Sequence, residues 1–414
     1  MHPLAARFDL RRLDAAFYDD PYPTYRALRE DDPVKRFDDG SVFLTRYADL
    51  VAVYKDTARF SSDKHEEFAP KYGGSDGRGH VHSPLFAHHT TSLVFNDPPL
   101  HTRVRRLIAG ALTPKHIAAM EPALIARVDQ LLDAMDAAAR RGETVDLIED
   151  FASAIPIEII GNLLAIPTER RAPLRDWSLA ILGALEPVLT PEQEARGDRA
   201  VVAFLAYLDE LIADRRARLG DPEVDVLSRL IIGEGGERLT AAELQHNCIF
   251  LLNAGHETTT NLIGNGLVAL AHWPDEKARL VADRTLVNQA VEEFLRFESS
   301  NQLGNRITTE AVVIDGVELA PRTRVHLCIG AANRDPAQFP DPDRLDVGRA
   351  PNRHLAFGSG PHQCVGLALA RLEGRVALAR FLARFPDYTL AAAPTRGGRA
   401  RFRGFLAVPA RLAR

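Results

Sequence analysis

The chain has 414 residues, a net charge of −5, 46% hydrophobic and 26% charged residues, which is enough apolar material for a large core. That charge gives no general attraction to nucleic acid or an anionic membrane. Three widely spaced cysteines (Cys248, Cys328, Cys364), with no CxxC, argue against a disulfide framework or a structural zinc site. Met1 to Asp20 is polar and lacks an apolar core for a signal peptide or anchor, so a cytoplasmic protein without a membrane association is expected. No repeat or linker divides the chain.

In chain order, Asp20 to Asp31 predicts a short helix. Val34–Phe37, Asp38-Asp39-Gly40 and Ser41–Thr45 predict a hairpin, followed by a helix over Ala48–Lys55. Ser61 to Ser92 is rich in Gly, Ser and His with weak periodicity. It is expected to be a solvated loop, and His65, His80, His82, His88 and His89 match no metal-ligand spacing. Asp97-Pro98 predicts the next helix start, with Asp as N-cap and Pro at the first position. His101 and Arg105 then share one face at i and i+4, while Arg103 and Arg106 face outward. Helical patterns follow over Pro122–Arg140, Ala152–Leu164, Ala172–Leu185 and Gln193–Leu219.

Thr240-Ala-Ala-Glu243 is a capping box opening a helix of about 32 residues that ends before Pro274, roughly 48 Å at 1.5 Å per residue. Its apolar first half, Cys248–Leu252, gives way to Ala254-Gly255-His256-Glu257-Thr258-Thr259-Thr260. Such helix-weakening residues inside a long helix mark a place where function is expected. His256-Glu257 begins a zincin-like HExxH, but the fifth residue is Thr260, so that reading fails. Asn288–Phe297 predicts another helix, with Glu293 and Arg296 at i and i+3. Val312–Ile314, Val317–Leu319 and Arg324–Ile329 predict strands, with Cys328 as core filler.

The organising stretch is Phe357-Gly358-Ser359-Gly360-Pro361-His362-Gln363-Cys364-Val365-Gly366, ahead of an apolar helix over Leu367–Leu382. It sets one cysteine behind a glycine-rich loop at a helix start, which favours thiolate. A thiolate in that setting can be a nucleophile, with His362 nearby as base, a redox sensor, or an axial ligand to iron.

Phe357, Gly360, His362, Cys364 and Gly366 fill the FxxGxHxCxG signature of the cytochrome P450 family, the haem-thiolate monooxygenases, and the chain resembles that family from Asp97 to its tail. The resemblance implies a mainly α fold with a smaller β region. It implies one domain over 1–414, a β corner at about 34–60 plus 306–330, and haem between the long helix and the cysteine helix. Cys364 would be the axial ligand of haem b. His101, Arg105 and Arg306 would meet the propionates, and His362, Ala254, Gly255, Phe357, Gly358 and Gly366 would also contact the cofactor. Ala254, Gly255, Glu257 and Thr258 match the family's AGxET, in which Thr258 and Glu257 relay protons for oxygen activation. Glu293, Arg296 and Arg349 match a structural triad.

The family's chemistry would insert one oxygen atom of O2 into a small, largely apolar substrate, hydroxylation being the default. Substrate contacts are expected from Val94, Leu182, Phe250, Leu251, Leu303 and Phe402. Ser300 stands where the family commonly has Pro and, with Asn301 and Asn305, suggests a substrate with a hydrogen-bonding group. The chain contains no flavin or iron–sulfur segment, so a monomer served by an external ferredoxin or flavodoxin with its reductase is expected. Arg103, Arg106, Arg353, Arg371 and Arg375 could form a basic face for it. Two alternatives are a peroxide-driven peroxygenase or haem-thiolate isomerase, against which Glu257-Thr258 argues, and a haem sensor, for which no partner segment is found.

Overall fold

The computed structural model describes residues 1–73, 79–222, 225–233 and 236–413. Its contacts divide the chain into two compact units, one of Met1–Ser61, Ala123–Ile155 and Thr258–Arg414, the other of Ser62–Pro122 and Pro156–Glu257. The fold is mainly helical with a smaller β part.

The first unit holds a five-stranded sheet from β1 (Val34–Arg36), β2 (Val42–Leu44), β3 (Phe60–Ser61), β4 (Leu303–Thr308) and β5 (Arg324–Cys328). Their order is β1-β2-β5-β4-β3, with β2 and β5 parallel (Val42 opposite Val325) and the other pairs antiparallel. Side chains alternate between two cores. Val42, Leu44, Val325 and Leu327 pack on one side with Leu50 and Tyr54. Phe43, Leu303 and Cys328 pack on the other, against the N-terminal Phe8, Phe17 and Tyr25. Gly40 supplies the positive φ (78°) that the first hairpin needs. Arg322 carries φ 66° where the family commonly has glycine, so that turn keeps a left-handed residue without one.

In the same unit the helices Val287–Phe297 and Leu367–Arg384 pack against each other. The Tyr388 hydroxyl donates to the Leu267 carbonyl (2.6 Å), joining the tail to the long helix. In the second unit, helix Pro84–Thr91 lies on Pro191–Ala217, where Asp198 accepts from the Leu85 amide at 2.9 Å.

The capping box is formed, with Glu243 N–H donating to Thr240 Oγ1 (3.2 Å) and Thr240 N–H to the Glu243 carboxylate (2.8 Å). The helix it opens runs Ala241–His272, 32 residues. Three expectations are corrected. The helix expected to start at Pro122 starts at Pro114 and runs through Pro122. The helix after Asp97 starts at Leu100, because the Asp97 carboxylate is taken by the Ser62 amide (2.8 Å) and so does not cap it. Much of the supposed solvated loop is ordered against the core. His88 and His89 lie on Pro84–Thr91, each 2% exposed, and His89 packs with Phe68, Tyr72 and Phe95. Residues 74–78 of that segment lie outside the described ones.

Candidate functional site

Cys364 is the one exposed cysteine of the three. Its amide donates to the Phe357 carbonyl (2.9 Å), which closes the loop back on itself. Gly360, at φ 70°, lies so close to the next element that a Cβ there would stand 2.3 Å from the Tyr54 carbonyl oxygen. Around the sulfur the backbone is open. A Cβ on Gly358 would meet nothing nearer than 3.9 Å, and one on Gly366 would meet only the Cys364 sulfur at 4.0 Å. Cys248 and Cys328 differ from it. Burial pushes both thiols up to about 12, and Cys328 is core filler as expected.

The segment that leads into the cysteine loop carries a polar anchor. Glu293, with no exposed surface, accepts from Arg296 Nε and Nη2 (both 2.7 Å), Arg349 Nε (3.1 and 3.2 Å), Asn352 Nδ2 (3.1 Å) and the Asp346 amide (3.0 Å). Arg296 also donates to the carbonyls of Asn333 (2.9 Å) and Pro342 (2.7 Å). Asn352 and Asp346 carried no sequence signal, since their partner is more than fifty residues away.

Along the long helix, between His246 and Leu270, only Phe250, Ala254, Gly255 and Thr258 are half-buried and the rest are buried. Phe250, Ala254 and Thr258 are four residues apart, so they form one accessible stripe. A Cβ on Gly255 would stand 1.9 Å from Ile160 Cδ1, so this glycine also serves close packing. Glu257 is buried, 5% exposed.

His101 is 2% exposed and Arg105 half-buried, both on Leu100–Ala111. Arg306, 7% exposed on β4, donates to the Asn305 carbonyl (2.7 Å) and stacks over the Tyr54 ring at 5.3 Å. His362 is half-buried in the cysteine loop. Of the substrate candidates, Val94 and Phe250 are half-buried, and Leu182, Leu251 and Phe402 are buried. Leu303 belongs to the core beneath the sheet. Ser300 uses its hydroxyl on the carbonyl of Thr258 (2.8 Å), a contact with no signature in the sequence.

Among the candidate docking arginines, Arg103 pairs with Glu243, Arg106 with Glu237, and Arg371 with Glu292 (2.7 Å). Behind the cysteine loop is a cleft of about 470 Å³ lined by Phe357, Ser359, Gln363, Lys55, Arg353 and Arg371, among others. On its wall, burial pushes the Glu292 carboxyl up. The Arg371 hydrogen bonds and His354 outweigh that and bring it down to about 2.

The residues present suit a haem. An exposed thiol is a soft ligand for iron, open glycine backbone beside it admits a flat macrocycle, and buried arginine and histidine suit its carboxylates.

The cytochrome P450 family model matches residues 180–388. The chain is 39% identical to cytochrome P450 107B1 of Saccharopolyspora erythraea, covering 93% of each. It is 38% identical to the vitamin D(3) 25-hydroxylase of Pseudonocardia autotrophica, covering 92% of this chain and 90% of that one. Among solved structures, P450BioI in complex with hexadec-9Z-enoic acid-ligated acyl carrier protein superposes with a TM-score of 0.88 at 32% identity, covering 96% of this chain and all of that one. No helix among the described residues is long and apolar enough to cross a membrane.

Proposed function

Since the chain belongs to the cytochrome P450 family and is a P450 monooxygenase acting on organic molecules, we propose that Cys364 is its haem ligand and that it hydroxylates a largely apolar substrate. The carrying observation is the exposed Cys364 thiol on a loop closed by its own amide on the Phe357 carbonyl. The bound haem b would supply the oxygen-activating chemistry.

His101, Arg105, Arg306 and His362 would hold its carboxylates through charge-assisted hydrogen bonds, and Phe357, Gly358, Gly366, Ala254 and Gly255 would leave room for the ring. Arg296, Arg349 and Glu293 keep the loop that carries the sulfur from sagging. Thr258 Oγ1 would donate into the reaction space, and the Glu257 carboxyl would restore its proton, a general-acid role that burial suits. We treat residues 1–414 as one catalytic domain.

Val94 and Phe250 offer apolar surface to the substrate. The names of the relatives, a vitamin D(3) hydroxylase and a P450 whose structure carries a long acyl chain, support an extended hydrocarbon skeleton with a polar handle. Electrons would come from a ferredoxin or flavodoxin with its reductase, docking at the cleft behind the cysteine loop, where Lys55 and Arg353 line the wall. A cytoplasmic monomer fits this reading.

The test is the absorption spectrum of the reduced, carbon-monoxide-bound protein beside Cys364→His. A strongly red-shifted Soret band in the parent, lost in the variant, supports thiolate ligation. An imidazole-like band in both would remove Cys364 from the iron.

A further inference from the structure

One face of the long helix meets its neighbouring segment at three successive points, two of them hydrogen-bonded. At Thr258 the carbonyl oxygen accepts from the Ser300 hydroxyl at 2.8 Å, and Ser300 is 5% exposed. One turn on, the Asn261 amide lies against the backbone of Gly404, where a Cβ would stand 1.9 Å from Oδ1. A further turn on, Asn265 Nδ2 donates to the carbonyls of Glu298 and Arg403, both at 3.1 Å. Positions 258, 261 and 265 share one helix face.

The opposing segment is itself held in register. Arg403 N–H donates to the Ser300 carbonyl (2.9 Å), Asn301 bridges Phe402, and Gln302 N–H donates to the Arg401 carbonyl (2.8 Å). Ser300 is therefore presented by a short two-stranded ribbon and not by a free loop.

We propose that Ser300 is a positioning residue for the Thr258 hydroxyl, acting through the Thr258 carbonyl. A threonine carbonyl four residues before Leu262 ordinarily accepts only the helical N–H. A second donor on it tilts that peptide outward and fixes the turn from which the side chain projects. Thr258 is half-buried and on the accessible stripe, whereas its neighbours Thr259 and Thr260 are buried, so a small rotation of this turn changes what the stripe presents. Proline, common in the family at position 300, has no hydroxyl to donate. The device belongs to this chain's own serine, whose hydroxyl thus serves the helix and leaves substrate recognition to other groups. The inference rests on the reading of Thr258 as the hydroxyl facing the reaction space.

The experiment uses the holoenzyme with Ser300→Ala, Ser300→Thr and Thr258→Ala, each first checked for the parent's thiolate-type carbon monoxide spectrum. Two quantities are read. One is amide hydrogen exchange over residues 258–265, expected to quicken about 3- to 10-fold in Ser300→Ala, the range for losing one hydrogen bond. The other is the infrared C–O stretch with carbon monoxide as probe. Its band should move in the same direction in Ser300→Ala as in Thr258→Ala and return toward the parent's in Ser300→Thr. Unchanged exchange in Ser300→Ala overturns the proposal, as does faster exchange with an unmoved band, which would make Ser300 a structural strut only. If Thr258→Ala itself leaves the band unmoved, Thr258 does not face the ligand, and the reading beneath the proposal fails with it.

Discussion

Replacing Glu293 by glutamine keeps the shape of the side chain and removes one charge and one acceptor. In the parent, each carboxylate oxygen receives at least two donors: Oε1 from Arg296 Nη2 and the Asp346 amide, Oε2 from Arg296 Nε and Asn352 Nδ2. Whichever oxygen becomes NH2 then points a donor at two donors. The Arg296 guanidinium, with no exposed surface, keeps the carbonyls of Asn333, Pro342 and Arg344 but loses its counter-charge. Breaking a buried pair of this kind costs about 3–5 kcal/mol, a large share of the roughly 5–15 kcal/mol that holds a domain folded. Urea unfolding at pH 7, followed by far-ultraviolet circular dichroism, should show that loss. Haem content per protein should fall too, because Arg349 and the Asn352 loop lose the same carboxylate. As a control, Arg380→Gln removes a surface pair with Asp129 (2.5 Å) and should cost no more than about 1 kcal/mol. If Glu293→Gln unfolds within about 1 kcal/mol of the parent and keeps its haem, the anchor argument is wrong.

Gly360→Ala should cost roughly 2 kcal/mol or more, since it adds left-handed strain to a contact with the Tyr54 carbonyl; parent-like thermal stability and haem retention would contradict this. Burial holds His246 down at about 4 and His256 at about 3, and lowers His88, so these imidazoles are neutral in the folded protein. The unfolded chain takes up their protons below about pH 6.5, so stability falls as pH drops from 6.5 toward 4, by about 1.4 kcal/mol per pH unit per imidazole. Urea titrations at pH 7 and 5 should show this, and His246→Phe should flatten the slope; an unchanged slope counts against it. Glu292, depressed to about 2, has the opposite origin but loses stability in the same direction, across the window from 4.5 down to about 2. Arg371→Gln should therefore raise the pH of acid unfolding, and an unshifted midpoint would refute the pairing.

What the sequence made legible was local or carried by dense motifs. The Thr240–Glu243 box declared a helix start because both partners lie within one turn, and the Asp39-Gly40 turn declared its hairpin. The cysteine loop declared itself because loop geometry and ligand chemistry both restrict residue type. Failures came where a distant partner decided the outcome. Asp97 has the composition of a helix cap, but the Ser62 amide claims it. His88 and His89 read as loop residues because histidine is usually solvated, yet both are buried, His89 against Phe68 and Tyr72 and His88 against His246. Ser300 read only as a hint of a hydrogen-bonding substrate, and nothing local announced that its hydroxyl donates to the Thr258 carbonyl, 42 residues away in the chain. Leu303 alternates on a strand, and nothing local says which of the sheet's two faces it takes.

The mixed sheet also sets a timetable for biosynthesis. Val42 on β2 pairs with Val325 on β5, 283 residues later. At roughly 5–20 residues per second, β2 waits about 15–60 s on the ribosome for its parallel neighbour. Through that interval Val42, Phe43 and Leu44, all fully buried in the finished protein, present a bare apolar strand edge. Helices built from nearby contacts, such as Leu174–Gly183 against Pro191–Ala217, form long before it is covered. The nascent protein is thus most aggregation-prone at its amino end and latest in synthesis. A permuted chain beginning just before β4, which brings β5 and β2 closer in the order of synthesis, should raise the soluble yield.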